Sequence, residues 1–441
     1  MTLDLCRLTA TEVVKLTKSG ELKVEDYAKA LIARVEERDP FVHAWAYFSP
    51  SIILESARRL DAIPAEKRGP LHGVAVGIKD VIYTKDMPTQ QYSPIYKDDH
   101  PELDASVVLS LRAMGALIFG KTHTTEFATC QKGPPTCNPH DPTRTAGGSS
   151  SGSGAAVGDF QVPLALGTQT GGSTIRPASY NGVYALKPTW NAISREGLKM
   201  YSITCDTVGL YSRSIEDLEM LCEIFNLQDD VAPPTAPLSL SGAKFGFVKT
   251  HVWPKAEPAL ITLWEEAKNY LIEAGAEVEE VKLPEIFDNL GTWHRNILHM
   301  EGYSSFLGDY LQSPELLDPW VTKHAVNEGK TSRKEQLQAY DEIAKLRPVI
   351  DEIASKYTCL VTPSVTGEAP VLEEPLRFTG DASFNLMWTV LHLPVINIPG
   401  FKGPNGMPIG LSLVAPRYYE QDLLRTSHAI KDVFAKGGWK L

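Results

Sequence analysis

Three places along the chain carry side chains that could act together on an acyl group. The first is Lys79, which follows the glycine-bounded apolar run Gly73-Val74-Ala75-Val76-Gly77-Ile78. That run reads as a buried strand. A lysine at its end either snorkels to water or stays inside and gives up its proton, because a buried ammonium is costly. Taken alone, Lys79 fits the snorkelling reading better. The second place is Gly147-Gly148-Ser149-Ser150-Ser151-Gly152-Ser153-Gly154. Its small residues let backbones approach closely, although a plain loop with solvated hydroxyls has the same composition. No G-K-[ST] follows, so it is not a phosphate loop. The third is Gly167–Pro177, in which Gly171 and Gly172 precede Ser173. Paired glycines before a serine free several N–H groups to point one way, as an oxyanion requires, and they also suit an ordinary tight turn. A serine becomes nucleophilic only beside a base. None of the eleven histidines stands in a convincing partnership by sequence, and Ser173 is not in a G-x-S-x-G elbow. A histidine distant in sequence and a neutral lysine relayed by a second serine both remain open.

The elements that must position these residues read as α/β. Thr9-Ala10-Thr11-Glu12 has the spacing of a capping box. Val24, Tyr27, Ala28, Leu31, Ile32 and Val35 recur at helical spacing, so residues 24–37 read as an amphipathic helix that Asp39-Pro40 ends. Val107–Met114 reads as a helix and Ala116–Phe119 as a strand. From Thr143 to Pro188 glycine and serine dominate, which excludes a long regular helix. The strand-like run Val162–Leu166 inside it excludes a flexible linker. Residues 228–243 form a Pro-, Ser- and Asp-rich surface crossing. Lys244–Val248, Pro258–Ala274 and Glu277–Leu283 then have a βαβ rhythm. Residues 332–356 read as a charged helix, and Leu360-Val361 and Val395–Ile398 as further buried strands. The expectation is one domain over 1–441, with later strands completing the sheet begun before the crossing.

Bulk properties narrow the partners. The chain has 441 residues, 43% of them hydrophobic, and a formal charge of −11. A diffuse acidic balance argues against nucleic acid, whose phosphates want a basic face. Charges at Asp4, Arg7, Glu12, Lys15 and Lys18 interrupt any signal-peptide core, and no apolar run is long enough to span a membrane. The six cysteines are scattered without a C-x-x-C pair, which reads as reduced thiols in a cytoplasmic protein.

Together, G-I-K-D at Gly77–Asp80, the serines after Gly147-Gly148, the G-G-S-x-I-R of Gly171–Arg176 and the M-P-I-G-L-S-L-V-A-P-R of Met407–Arg417 resemble the amidase signature family over nearly the whole chain. In that family the bridging serine precedes the nucleophile by 24 residues, the separation of Ser149 from Ser173. The resemblance implies a large, twisted, mixed central sheet covered by helices on both faces, with a signature core over about 70–225. It implies a catalytic triad of Ser173, Ser149 after a cis peptide, and Lys79, with an oxyanion hole from the N–H groups of Thr170, Gly171, Gly172 and Ser173. It implies no metal and no organic cofactor. Thr168–Pro177 is most similar to the malonamidase-type branch, where the residues at Thr168 and Arg176 help hold site or substrate; a buried structural pair is an equal reading for Arg176. Cys130, Gln131, Phe384, Asn385 and Trp388 are the expected acyl-pocket residues. The implied partner is a small amide or carbamate, urethanes included, and a homo-oligomer is compatible with the resemblance. The alternative is a glutaminase-type A subunit of an amidotransferase, against which stand a short Thr129–Asn138 and the Ala415-Pro416-Arg417 ending. A catalytically dead binding protein on the same fold would not keep all three relay residues.

Overall fold

Short apolar runs become strands here because their residues are covered on both faces. The computed structural model describes residues 4–129 and 132–441. Its strands are β1 (Trp45–Tyr47), β2 (Ala75–Lys79), β3 (Leu117–Thr122), β4 (Leu164–Gln169), β5 (Tyr184–Lys187), β6 (Thr207–Ser212), β7 (Lys244–Phe247), β8 (Glu277–Glu280), β9 (Cys359–Pro363), β10 (Val395–Lys402) and β11 (Pro408–Val414). They form one sheet in the order β1-β3-β2-β4-β6-β5-β10-β11-β9-β7-β8. The sheet is mixed. β3, β2 and β4 are parallel, as are β9, β7 and β8, and the strands between them pair antiparallel. Every residue of β2, β3, β4, β6, β9 and β11 is buried, as expected of strands with helices on both faces. The edge strand β8 exposes Glu277, Glu279 and Glu280, charges that discourage pairing with another chain.

Strands from both sides of the 228–243 crossing lie in this one sheet, since β10 pairs with β5. The capping box at Thr9 and Glu12 is present, with both of its hydrogen bonds. The expected helix stop at Asp39-Pro40 is wrong: the helix runs Val24–Val42 with Pro40 inside it. The end is made instead at His43, which adopts a left-handed conformation and donates to the Asp39 carbonyl at 2.8 Å. The Asp39 carboxylate then accepts from the Ala44 N–H at 2.6 Å. Proline removes one helical donor near the terminus, and Asp39 compensates by holding the exit.

The site is set by the parallel trio. β2 and β4 run in the same direction, with Ile78 opposite Leu166, so Lys79 and Thr168 emerge at the same sheet end. The crossover between β3 and β4 contains the helix Ser151–Gly158, all of it buried. A Cβ on Gly152 would lie 2.1 Å from the Ala44 carbonyl oxygen and 2.4 Å from the His123 nitrogen. Only glycine lets this helix lie so close, and that approach places Ser149 and Ser150 over the end of β2. Among the described residues, no helix is long and apolar enough to cross a membrane.

Candidate active site

Lys79 does not snorkel. It is fully buried, and its Nζ lies 2.8 Å from Ser149 Oγ, 3.0 Å from Ser150 Oγ and 2.7 Å from Thr168 Oγ1. Burial pushes its pKa well below the usual lysine value; Asp206 opposes the shift and Arg176 adds to it. A neutral amine has two N–H donors and one lone pair. Ser150 already donates its own proton to the Thr168 carbonyl at 3.1 Å, so its oxygen accepts from Lys79. With the second N–H on Thr168, the lone pair is left facing the Ser149 hydroxyl. Asp80, next in sequence, turns away: its carboxylate lies 3.3 Å from Lys121 Nζ on β3 and accepts from the Gln90 N–H.

The Gly148–Ser149 peptide is cis, as the family resemblance implies. Arg176 holds the carbonyl before it: Nη2 donates to the Gly148 oxygen, and Nη1 donates to the Gly380 carbonyl at 2.6 Å. Arg176 is thus buried against backbone carbonyls and the Thr379 hydroxyl, with burial lowering its pKa. It also lines the cavity described below.

The loop Thr170–Ser173 is oriented through its carbonyls. The Thr170 carbonyl accepts from His294 Nε2 at 2.9 Å, Gly171 from Thr389 Oγ1 at 2.6 Å and Gly172 from the Arg176 N–H at 3.0 Å. In a trans peptide the N–H points opposite its carbonyl. The N–H groups of Gly171, Gly172 and Ser173 therefore face the other way, and they find no acceptor among the described residues. Gln169 fixes the next turn: its Oε1 accepts from Thr174 and Ile175 at 2.9 and 3.1 Å, and its Nε2 donates to Thr389 at 3.0 Å. Thr170 Oγ1 donates to Asp206 at 2.6 Å. Burial raises the pKa of Asp206 to about 6 and lowers that of His294 to about 4. His294 is spent on a backbone carbonyl, and no histidine is hydrogen-bonded to Ser149 or Ser173 among the described residues.

Ser149, Gly171, Gly172, Ser173 and Arg176 line one cavity of about 650 Å³. Ser149 and Ser173 share its wall without a direct hydroxyl–hydroxyl hydrogen bond. Lys79, Ser149, Thr168 and the Thr170–Ser173 loop, expected from the sequence, are thus brought together. Cys130 and Gln131 lie outside the described residues. Phe384, Asn385 and Trp388 do not line the cavity: all three are buried, and Asn385 is spent on the Ser364 carbonyl at 2.8 Å. Ala382, Ser383 and Leu386 face it in their place. The helix Ser383–Val390 is buried along most of its length, so apolar periodicity cannot tell its cavity face from its core face. Sequence reasoning misses Ser150, Gln169, Asp206, His294 and Thr389. Ser150 is legible as the neighbour of Ser149; the others act across the fold.

The Amidase family model matches residues 26–424. The chain is 30% identical to the A subunit of the glutamyl-tRNA(Gln) amidotransferase of Symbiobacterium thermophilum, over 97% of this chain and 96% of that one. The solved structure of the corresponding A subunit from Thermotoga maritima is 28% identical, with TM-score 0.79, over 98% of this chain and 95% of that one. The native peptide amidase of Stenotrophomonas maltophilia is 25% identical, with TM-score 0.80, over 97% of each chain.

Proposed function

The chain belongs to the amidase signature family, and on that premise we propose that it hydrolyses the C–N bond of a small amide or carbamate through Ser173, with Ser149 and Lys79 as its proton relay. The observation that carries the reading is a fully buried lysine among three hydroxyls, its Nζ 2.8 Å from Ser149 Oγ and its pKa lowered by burial. Ser173 transfers its proton to Ser149 as Ser149 passes one to Lys79, and the Ser173 oxygen bonds to the carbonyl carbon. The resulting oxyanion is met by the N–H groups of the Thr170–Ser173 loop, where one lost donor typically costs about 3–4 kcal/mol. The C–N bond breaks as Ser149 protonates the leaving nitrogen and Lys79 returns a proton to Ser149. Water then attacks the acyl-enzyme, its proton retracing the relay, and the acid leaves. Every step is a proton or acyl transfer between named groups, so the reading calls on no cofactor. A cavity of about 650 Å³ suits a small substrate.

We read the chain as one catalytic unit that works in the cytoplasm. A second reading, as a glutaminase-type component of a larger assembly, is favoured by the similarity to amidotransferase A subunits. One experiment separates the two. The purified chain is offered a panel of amides, carbamates and ureas and assayed for ammonia release. Turnover by the chain alone, abolished by Ser173→Ala, supports the first reading. Co-purification with other chains and turnover only in their presence supports the second. No turnover and no covalent labelling of Ser173 in either state would overturn both.

A further inference from the structure

The cavity that holds Ser173 has an unbalanced charge on one wall. That wall is the helix Leu290–Ser305, which presents Gly291, His294, Arg295 and Leu298 to the cavity, as residues three and four apart share a helix face. Arg295 is exposed there, and no carboxylate or carbonyl among the described residues is hydrogen-bonded or ion-paired to it. The other cavity cations are occupied. Lys255 lies 2.9 Å from the Asp381 carboxylate, and Arg176 is buried with both Nη groups on backbone carbonyls and its Nε unpartnered among the described residues. Asp288 also lines the cavity, but its side chain is 62% exposed and its neighbour is His251 Nδ1 at 4.0 Å. Three of the cavity histidines, His294, His299 and His324, are each held below the usual histidine range, chiefly by burial. His299 Nδ1 is bonded to Thr331 and His324 Nδ1 to the Trp320 carbonyl.

A solvated guanidinium with no counter-ion among the described residues has a particular consequence in this chain. With a formal charge of −11, the protein's summed field disfavours anions, so an anionic substrate needs a local cation. Guanidinium presents a planar fork of donors that fits a carboxylate in two places. We propose that Arg295 is a specificity-determining residue that selects amides or carbamates carrying a carboxylate beyond the scissile bond. The proposal rests on the amide-hydrolase reading above and narrows its substrate class.

The probes are glutaramate and its neutral counterpart valeramide, with glutarate as a non-hydrolysable ligand. In active protein, kcat/KM for glutaramate should exceed that for valeramide. Arg295→Gln should shrink this ratio about tenfold, through KM, the size expected of a charge-assisted pair open to solvent. Arg295→Lys should retain part of it. Binding is read separately in Ser173→Ala protein, which needs no chemistry: glutarate should raise its melting temperature more than glutaramide does, and adding Arg295→Gln should remove the difference. A substrate ratio and a glutarate effect that Arg295→Gln leaves unchanged would overturn the proposal. Failure of the wild type to turn over either amide counts against the amide-hydrolase reading alone, because the Ser173→Ala binding comparison still decides the role of Arg295.

Discussion

Among the described residues three lysines are buried in one sheet, and one of them sits where a proton can be passed on. Lys79 ends β2 among three hydroxyls. Lys121, on the adjacent β3, lies 3.3 Å from the Asp80 carboxylate and 2.5 Å from Thr89 Oγ1. Lys187, on β5, donates to the Pro188 and Leu393 carbonyls. Burial lowers all three, Lys121 to about 8 and Lys187 to about 7, with Asp80 holding Lys121 up. Lys79 falls well below its usual value, with no carboxylate bonded to it among the described residues. Burial therefore marks none of them as functional. The partners do: a carboxylate or carbonyls fix a cation in place, whereas a hydroxyl can give a proton and take it back.

The largest effect should come from breaking the relay at its far end. Ser173→Ala is expected to reduce turnover by on the order of 10⁴-fold or more and to abolish labelling by a fluorophosphonate, with the circular dichroism spectrum unchanged. Labelling that persists at the wild-type rate would move the nucleophile elsewhere. Next in size is the loop that turns the N–H groups inward. Gln169→Leu removes the acceptor for Thr174 and Ile175 and the donor to Thr389, so kcat should fall about 10²-fold with KM little changed. A rise in KM with kcat unchanged would mean that Gln169 serves binding rather than the oxyanion.

Smaller effects sharpen the contrast between the two adjacent lysines. Lys121→Met strands the Asp80 carboxylate in the interior and should cost about 3 kcal/mol of stability, read by urea unfolding, while turnover stays within about tenfold of the wild type. Lys79→Met strands no charge. Its folded pKa is lowered, so between that value and the unfolded value of about 10.4 the unfolded chain binds the extra proton. Lys79 thus costs stability through that window, increasingly as pH falls. Lys79→Met should therefore hold or raise the melting temperature at neutral pH while abolishing turnover. A Lys79→Met protein as destabilised as Lys121→Met would show that the two lysines play the same structural part.

The legible part of this site is the part written locally. Lys79 stands at the end of an apolar run, Ser149 follows two glycines, and Ser173 follows two more, so motif and spacing lead to them. What orients them is not local. Thr389 meets Gly171 from 218 positions away, and Gln169 meets Thr389 across 220. Each is an ordinary polar residue in its own segment. The same limit explains Phe384, Asn385 and Trp388: polar and aromatic residues on a helix buried along most of its length give no sign of which face meets the cavity. The βαβ rhythm after residue 243 is readable because β7, the helix Pro258–Glu273 and β8 are consecutive in the chain and adjacent in space. The order that seats β10 beside β5 has no such local cue.

The central claim, that neutral Lys79 is the base behind Ser149 and Ser173, is tested most directly by the pH dependence of kcat/KM in wild type and Lys79→Ala. Burial lowers the Lys79 pKa, so wild-type activity should be low in acid and rise as the amine deprotonates. In Lys79→Ala the rate should drop by orders of magnitude and the acid limb should flatten. Near-normal activity in Lys79→Ala, with an unchanged acid limb at roughly pH 6–7, would assign the base to a histidine and contradict the account.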